Sequence, residues 1–246
     1  MYVLGNKKIL NNKGIAIVGT RDCTKYGKNI SFKFSKELTQ KGFNIISGLA
    51  LGIDTYAHLG NVQINMENSK SIGKTIAVLG CGIDELYPKQ NKILAKQILK
   101  TGGCIISEYP NGTKPNKANF PQRNRIISGL AESIIVVEAG ERSGAIITAN
   151  LALEQGKEIF AVPGDITKKQ SIGTNKLIKD LEEIKKCYLT HKRYIVSNTK
   201  GEKEAIKIIE EARSFYEKNN IDMKYVKQGS NVFVSYLNIS HTRTKK

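Results

Sequence analysis

Residues 14–21 read GIAIVGTR. The run is small and apolar from Gly14 to Val18, without a polar break, and it stops on Gly19-Thr20-Arg21. A stretch this continuous suits a strand covered on both faces rather than one with a wet side, which is the condition of a parallel sheet. The same signature recurs as FNIIS (43–47), TIAVLG (75–80), CIISE (104–108), SIIVVEA (133–139) and EIFAVPG (158–164). Between these runs the apolar spacing becomes helical, over Asn29 to Lys41, Asn91 to Lys100, Pro121 to Leu130 and Gly144 to Gln155. Strand and helix alternating in this way require crossover connections of one hand. The chain is therefore predicted to be α/β, built on a doubly wound, mostly parallel sheet.

In such a sheet ligands bind beyond the carboxyl ends of the strands, where loops lead into helix N-termini. The loops at those points are Gly19-Thr20-Arg21, the stretch from Ser47-Gly48 to Asp54, Gly80-Cys81-Gly82, Glu108 to Gln122, and Ala139 to Gly144. Arg21, following a small residue and a hydroxyl, can grip a phosphate by charge and hydrogen bonds. Pairing with a neighbouring carboxylate such as Asp22 is the plainer alternative. Asn119-Phe120-Pro121-Gln122-Arg123-Asn124-Arg125 places an aromatic and two guanidiniums at a helix entry, where proline suits the first turn and open N–H groups favour an anion. Lys114 and Lys117 lie just upstream. Lysines for phosphate, a ring for base stacking and arginines for either compose a single-stranded nucleic-acid groove. The competing reading packs Phe120 in the core and uses the arginines to brace loops. Arg142-Ser143-Gly144 opens another helix with small residues and free backbone donors, which a ligand site and an ordinary α/β turn both require. Asp54 and His58, four apart on one helix face, have the chemistry of a general base. A helix cap and a packed imidazole account for them equally well.

Charge supports a polyanionic partner. The 246 residues carry 39 Lys and Arg against 22 Asp and Glu, a net +17, which favours nucleic acid first and an anionic membrane second. The excess is spread along the chain, 12 basic against 6 acidic residues from Cys187 onward and 27 against 16 before it. Apolar residues make up 40%, enough to bury a core. Cys23, Cys81, Cys104 and Cys187 show no C-x-x-C spacing and read as free thiols in a reducing compartment. No stretch has the length and apolarity of a signal peptide or a membrane span, so a cytoplasmic location is expected. After Lys186 the pattern changes to a strand at Tyr194–Ser197, a charged helix from Glu202 to Lys218 and a hairpin turning at Gln228-Gly229-Ser230-Asn231. The predicted organisation is a core of residues 1–186 and a small basic α+β appendage, 187–246.

Missing motifs narrow the function further. No G-x-G-x-x-G follows the first strand, no G-x-x-x-x-G-K-[ST] frame and no G-x-S-x-G elbow occur, and His58, His191 and His241 have no metal-ligand spacing. Nicotinamide, ATPase, hydrolase and zinc readings lose their support. No cofactor, metal or catalytic set is expected.

Taken in order, AIVGTR, IISGLALGIDTYAH, TIAVLGCGIDELYP, IISEYPNGTKP, NFPQRNRIISGL, VVEAGERSGAIITANLALEQGKEIFAVPGDI and SIGTNKLI resemble the DNA-processing protein A (DprA/Smf) family over about Gly14 to Ile178. The RNRI and SG-x-x-x-TA segments are the most specific. The resemblance implies an extended Rossmann-like domain, without catalytic turnover, that binds single-stranded DNA and loads a RecA recombinase onto it in natural transformation and homologous recombination. It also implies a homodimer. Carried over by motif, Gly19, Thr20 and Arg21 hold a DNA phosphate, and Gly48, Lys114, Lys117, Phe120, Arg123, Asn124, Arg125, Ser143 and Gly144 complete the groove. On that view Asp54 and His58 are scaffolding for their loop.

Departures from the family pattern set further expectations. Leu59 to Lys74, LGNVQINMENSKSIGK, is longer than usual, and its polar middle predicts a surface loop. The helical domain frequent ahead of the family's first strand is not read here. Lys179-Asp180-Leu181-Glu182 replaces a Gly-Ala step, and residues 187–246 do not read as the winged helix common at that end, so no role attaches to them. Two other classes stay open. One is a Rossmann-like nucleotide-processing enzyme of the phosphoribohydrolase type, against which Pro163-Gly164 continues as Asp165-Ile166-Thr167 rather than as Pro-Gly-Gly-x-Gly-Thr. The other is a related module for RNA or DNA in a plasmid, phage or defence setting.

Overall fold

A strand that the sequence reading missed, β1 (Tyr2–Gly5), precedes the six that it predicted: β2 (Gly14–Val18), β3 (Asn44–Ser47), β4 (Thr75–Leu79), β5 (Cys104–Ser107), β6 (Ser133–Val136) and β7 (Glu158–Ala161). The computed structural model describes residues 1–67 and 73–180, of which Met1–Ile178 form one compact unit. The elements expected within 187–246 lie outside the described residues. Five helices alternate with the strands: α1 (Lys25–Gln40), α2 (Ile53–Glu67), α3 (Lys92–Lys100), α4 (Asn119–Leu130) and α5 (Gly144–Glu154). Residues 172–180 are helical as well.

The sheet order is β1-β5-β4-β3-β2-β6-β7. Every pair is parallel except β1 with β5, in which Tyr2 lies opposite Ser107. The central strands β3, β4 and β5 are buried at every position, as expected of runs apolar on both sides. The chain adds β3, β4 and β5 successively on one side of β2, then crosses back to place β6 on the other. Right-handed crossovers running in opposite directions put their helices on opposite faces. Accordingly α1 packs on α2 and α2 on α3, while α4 packs on α5. Ile17, Ile45, Ile53 and Ala57 form one core cluster, and Leu79, Leu94, Ile98 and Ile105 another. Cys81 and Cys104 are buried free thiols, and burial pushes Cys104 up to about 11.

Two boundaries fall elsewhere than expected. Helix α1 starts four residues before the expected Asn29 because Thr24 caps it, its hydroxyl accepting from Gly27 N at 3.2 Å. Its buried stripe is Gly27, Ser31, Ser35 and Thr39, small and polar at helical spacing and so invisible to a search for apolar periodicity. Ser31 donates to the Ile53 carbonyl at 2.9 Å and Ser35 to that of Ala57 at 2.5 Å, drawing α1 tightly onto α2. Of the stretch Leu59 to Lys74, where a surface loop was expected, Leu59 to Glu67 instead complete α2, and 68–72 lie outside the described residues. Two polar residues there have partners: buried Asn61 donates from Nδ2 to Thr39 Oγ1 at 2.8 Å, and half-buried Asn65 from Nδ2 to the Gly73 carbonyl at 2.9 Å.

Candidate nucleic-acid interface

The carboxyl ends of β2 and β6 are neighbours whose following loops part in opposite directions, the crevice in which open α/β sheets bind ligands. A cleft of about 640 Å³ lies there. Its walls come from the loop after β2 (Gly19, Thr20, Arg21, Asp22), the first turns of α4 (Phe120, Pro121, Arg123, Asn124) and the start of α5 (Arg142, Ser143, Gly144, Ala145).

The loop after β2 is fixed by its neighbours. Thr20 N donates to the Glu138 carbonyl at 2.7 Å, and buried Glu138 accepts from Thr24 N at 2.8 Å and from the Thr24 hydroxyl at 2.5 Å. The loop after β3 closes over it. Gly52 has φ +79°, and a Cβ there would lie 2.3 Å from the Thr20 carbonyl oxygen, so only glycine permits this approach. The Arg21 side chain projects into solvent with Cζ 5.4 Å from the centroid of the Phe120 ring, within cation–π range. Among the described residues it forms no ion pair, so the Asp22 alternative does not account for it. Phe120 is half-buried, seated over Gly80, and faces Tyr87 with centroids 5.7 Å apart and rings tilted by 41°. Tyr87 is 42% exposed and lines the same cleft. Sequence reasoning quoted it within TIAVLGCGIDELYP without choosing it. Its signal was an aromatic following a glycine-rich loop at a strand's carboxyl end. Arg142, named there only as part of a turn, also stands on the wall.

Arg123 lines the cleft and Gly48 the small hollow beside it, and both also belong to the frame that holds the loops. Arg123 is 4% exposed and donates from Nη1 to the carbonyls of Gly48, at 2.8 Å, and Val78. Asp54 opposes it electrostatically. It braces the carboxyl ends of β3 and β4 while lining the cleft. Gly48 lies beneath this guanidinium, where a Cβ would fall 2.4 Å from Nη1. Arg125, two positions on, faces away as helix geometry requires. It is exposed, ion-pairs with Glu108 and is absent from the cleft wall. Lys117 stands on the wall and Lys114 does not. Asn124 Nδ2 donates to the Gly144 carbonyl at 3.2 Å, tying α4 to the start of α5, which Ser143 caps by accepting from Ala145 N at 3.3 Å. Around Gly144 nothing lies within 4 Å of an added Cβ.

Asp54 and His58 are each committed to scaffolding. Asp54 sits in the first turn of α2 and accepts from Gly48 N at 3.1 Å and Ala50 N at 3.4 Å. It thus ties down the preceding loop rather than capping the helix. Burial pushes its carboxyl above the usual range, Arg123 pulling the other way. His58 Nδ1 lies 2.7 Å from Thr75 Oγ1, whose hydroxyl donates to the Ile45 carbonyl at 2.9 Å. The hydroxyl must then accept, which assigns the proton to Nδ1. Burial, reinforced by the charge of Arg123, holds His58 down to about 3, a neutral imidazole at any ordinary pH. With Asp54 and Arg123 buried, the cleft's exposed charges are Arg21, Lys117 and Arg142 against Asp22, a basic surface flanked by two rings. Among the described residues no helix is long and apolar enough to cross a membrane.

A family model for DNA recombination-mediator protein A matches residues 1–192. The DNA processing protein DprA of Bacillus subtilis is 44% identical over 180 residues, 73% of this chain and 58% of that protein. Protein Smf of Escherichia coli is 43% identical over 179 residues, 73% of this chain and 46% of that protein. The chain spans about half the length of the curated relatives it matches. Among solved structures, DprA of Streptococcus pneumoniae superposes with a TM-score of 0.65 at 42% identity, covering 72% of this chain and 60% of that one. DNA processing protein A of Helicobacter pylori, described for its single-stranded DNA binding mode, superposes at 0.64 with 32% identity, covering 73% of this chain and 78% of that one.

Proposed function

This chain belongs to the DprA/Smf family, and on that footing we propose that it binds single-stranded DNA in the cleft between β2 and β6 and presents the strand to a RecA-type recombinase. The observation that carries this reading is the Arg21 guanidinium, exposed and without an ion pair among the described residues, set over the half-buried Phe120 ring. A guanidinium on an aromatic beside open helix N-termini offers a phosphate site and a base platform together. Arg21, Lys117 and Arg142 take phosphates. Phe120 and Tyr87 stack bases, and Gly19, Thr20, Asn124, Ser143 and Gly144 supply the close backbone and amide edge. Arg123 and Gly48 form the frame that holds the loops. Lys114 and Arg125 act only through the field of the basic surface. Binding without turnover, a homodimer and a cytoplasmic setting belong to the same proposal.

Fluorescence anisotropy of a labelled oligo-dT, with duplex DNA and RNA as competitors, tests it. The expected result is binding that duplex DNA and RNA displace poorly and that weakens with salt by about 0.7 in log affinity per log salt for each neutralised phosphate. An RNA preference moves the protein to the RNA-binding class. No binding at low salt, with release of base from nucleoside monophosphates, supports the enzyme instead.

Two substitutions separate the wall from its surroundings. Arg125→Ala breaks only an exposed ion pair and is expected to change oligo-dT affinity and stability by no more than about 1 kcal/mol, read by anisotropy and urea unfolding. Gly144→Leu projects into open space, so thermal melting should stay at the wild-type temperature while oligo-dT affinity falls by about tenfold, the loss of about one charge-assisted hydrogen bond when a side chain bars the phosphate from the backbone amides. A large drop in melting temperature contradicts the open surroundings of Gly144.

A further inference from the structure

A second hollow, of about 280 Å³, shares Arg21 and Asp22 with the main cleft and continues onto the α1–α2 pair, where Lys28, Leu51, Thr55 and Tyr56 line it. Lys28 Nζ stands 5.6 Å from the centroid of the Tyr56 ring. Further along α1, Lys36 Nζ stands 5.7 Å from the centroid of Phe32. Lys28, Phe32 and Lys36 are four apart and share one stripe of the helix. Carboxylates nearby include Asp22, on the wall itself, buried Glu138, held by Thr24, and Glu37, which pairs with Lys33 at 3.9 Å. Arg21 is thus followed by lysine and ring, then ring and lysine, all half-buried and held by two helices packed tightly through Ser31 and Ser35. Alternating cations and aromatics along a groove are the chemistry that holds a single strand independently of its sequence.

We propose that this hollow is a second nucleotide subsite, which continues the strand from the main cleft across Arg21. Lys28 neutralises the next phosphate, Tyr56 stacks the next base, and the strand leaves along Phe32 and Lys36. The inference rests on the main cleft binding single-stranded DNA, and its test separates the two.

The full chain and its Lys28→Ala, Tyr56→Ala and Arg21→Ala variants are titrated with labelled oligo-dT of about 4 and about 16 nucleotides, the range of single-strand site sizes. Wild type is expected to bind the longer oligomer more tightly than its extra register positions alone allow. Lys28→Ala and Tyr56→Ala should leave the short oligomer within about twofold of wild type and weaken the long one by about fivefold or more. The salt slope of Lys28→Ala on the long oligomer should shrink by about 0.7, and Lys28→Gln, which keeps most of the stem, should shrink it equally. Arg21→Ala should weaken both lengths. If both α1–α2 variants bind both lengths like wild type while Arg21→Ala does not, the second subsite is overturned and the main cleft stands. If Arg21→Ala is also unchanged, both are overturned.

Discussion

Arg123→Ala should destabilise the protein by about 1–3 kcal/mol for each buried carbonyl left without its donor. The guanidinium is buried, donates to the Gly48 and Val78 carbonyls and is favoured by the charge of the buried Asp54 carboxylate. Its removal leaves two carbonyls short of a donor and one carboxylate without its countercharge. Against a total of about 5–15 kcal/mol for a domain, much of the stability goes, and the urea midpoint should drop accordingly. The loss also depends on pH. Burial already holds Asp54 above the usual carboxylate range, and Arg123 is the charge that pulls it back. Without Arg123 the folded-state value rises further, while the unfolded value stays put. A group raised in this way costs stability increasingly as pH climbs above its unfolded value, so the deficit relative to wild type should be larger at neutral pH and narrow toward pH 4. Adding Asp54→Asn, whose amide oxygen can still accept from Gly48 and Ala50, should recover part of the loss. A stable Arg123→Ala variant that has lost only DNA binding would assign Arg123 to ligand binding rather than to the frame.

Arg21→Ala should leave stability within about 0.5 kcal/mol of wild type, as surface substitutions do, and weaken oligo-dT binding by about tenfold to hundredfold. A charge-assisted hydrogen bond is worth about 1.5–3 kcal/mol, and each tenfold is about 1.4 kcal/mol. Its side chain is exposed and bonded to nothing that folding needs. Removing the charge should lower the salt slope by about 0.7. Phe120→Leu tests the other half of the pair: it keeps an apolar group over Gly80 and loses the ring, so affinity should fall while the salt slope stays. Anisotropy over a salt series reads both quantities. Equal slopes for wild type and Arg21→Ala contradict a phosphate contact at this residue.

Strands β2 to β6 were legible because double-sided burial writes an unbroken apolar run; β7, read from the same kind of run, is instead an edge strand with Glu158 and Phe160 exposed. Strand β1 was not, since all four of its residues are exposed and its order comes from pairing with β5. The start of α1 was hidden for the opposite reason, its buried face being glycine, serine and threonine, and the end of α2 because Gly60 and Asn61 interrupt an apolar face that continues in Val62 and Ile64. At the site, Arg21 and Phe120 could be chosen from their positions after a strand and at a helix entry. Arg123 and Arg125 looked equivalent there. Helical phase separates them, because Arg123 lies three and four residues before the buried Ile126 and Ile127 and so shares their inward face. Gly48 could not be assigned in this way, since what covers it is a side chain 75 positions away.

The central claim is that single-stranded DNA lies across the wall made by Arg21, Phe120 and Tyr87. Oligo-dT carrying 4-thiothymidine, bound to the full chain, irradiated and digested, with crosslinked peptides identified by mass spectrometry, tests it most directly. The expected crosslinks fall on the peptides containing Phe120 and Tyr87 and disappear in Arg21→Ala. Crosslinks confined to other peptides, with binding intact, would contradict the account.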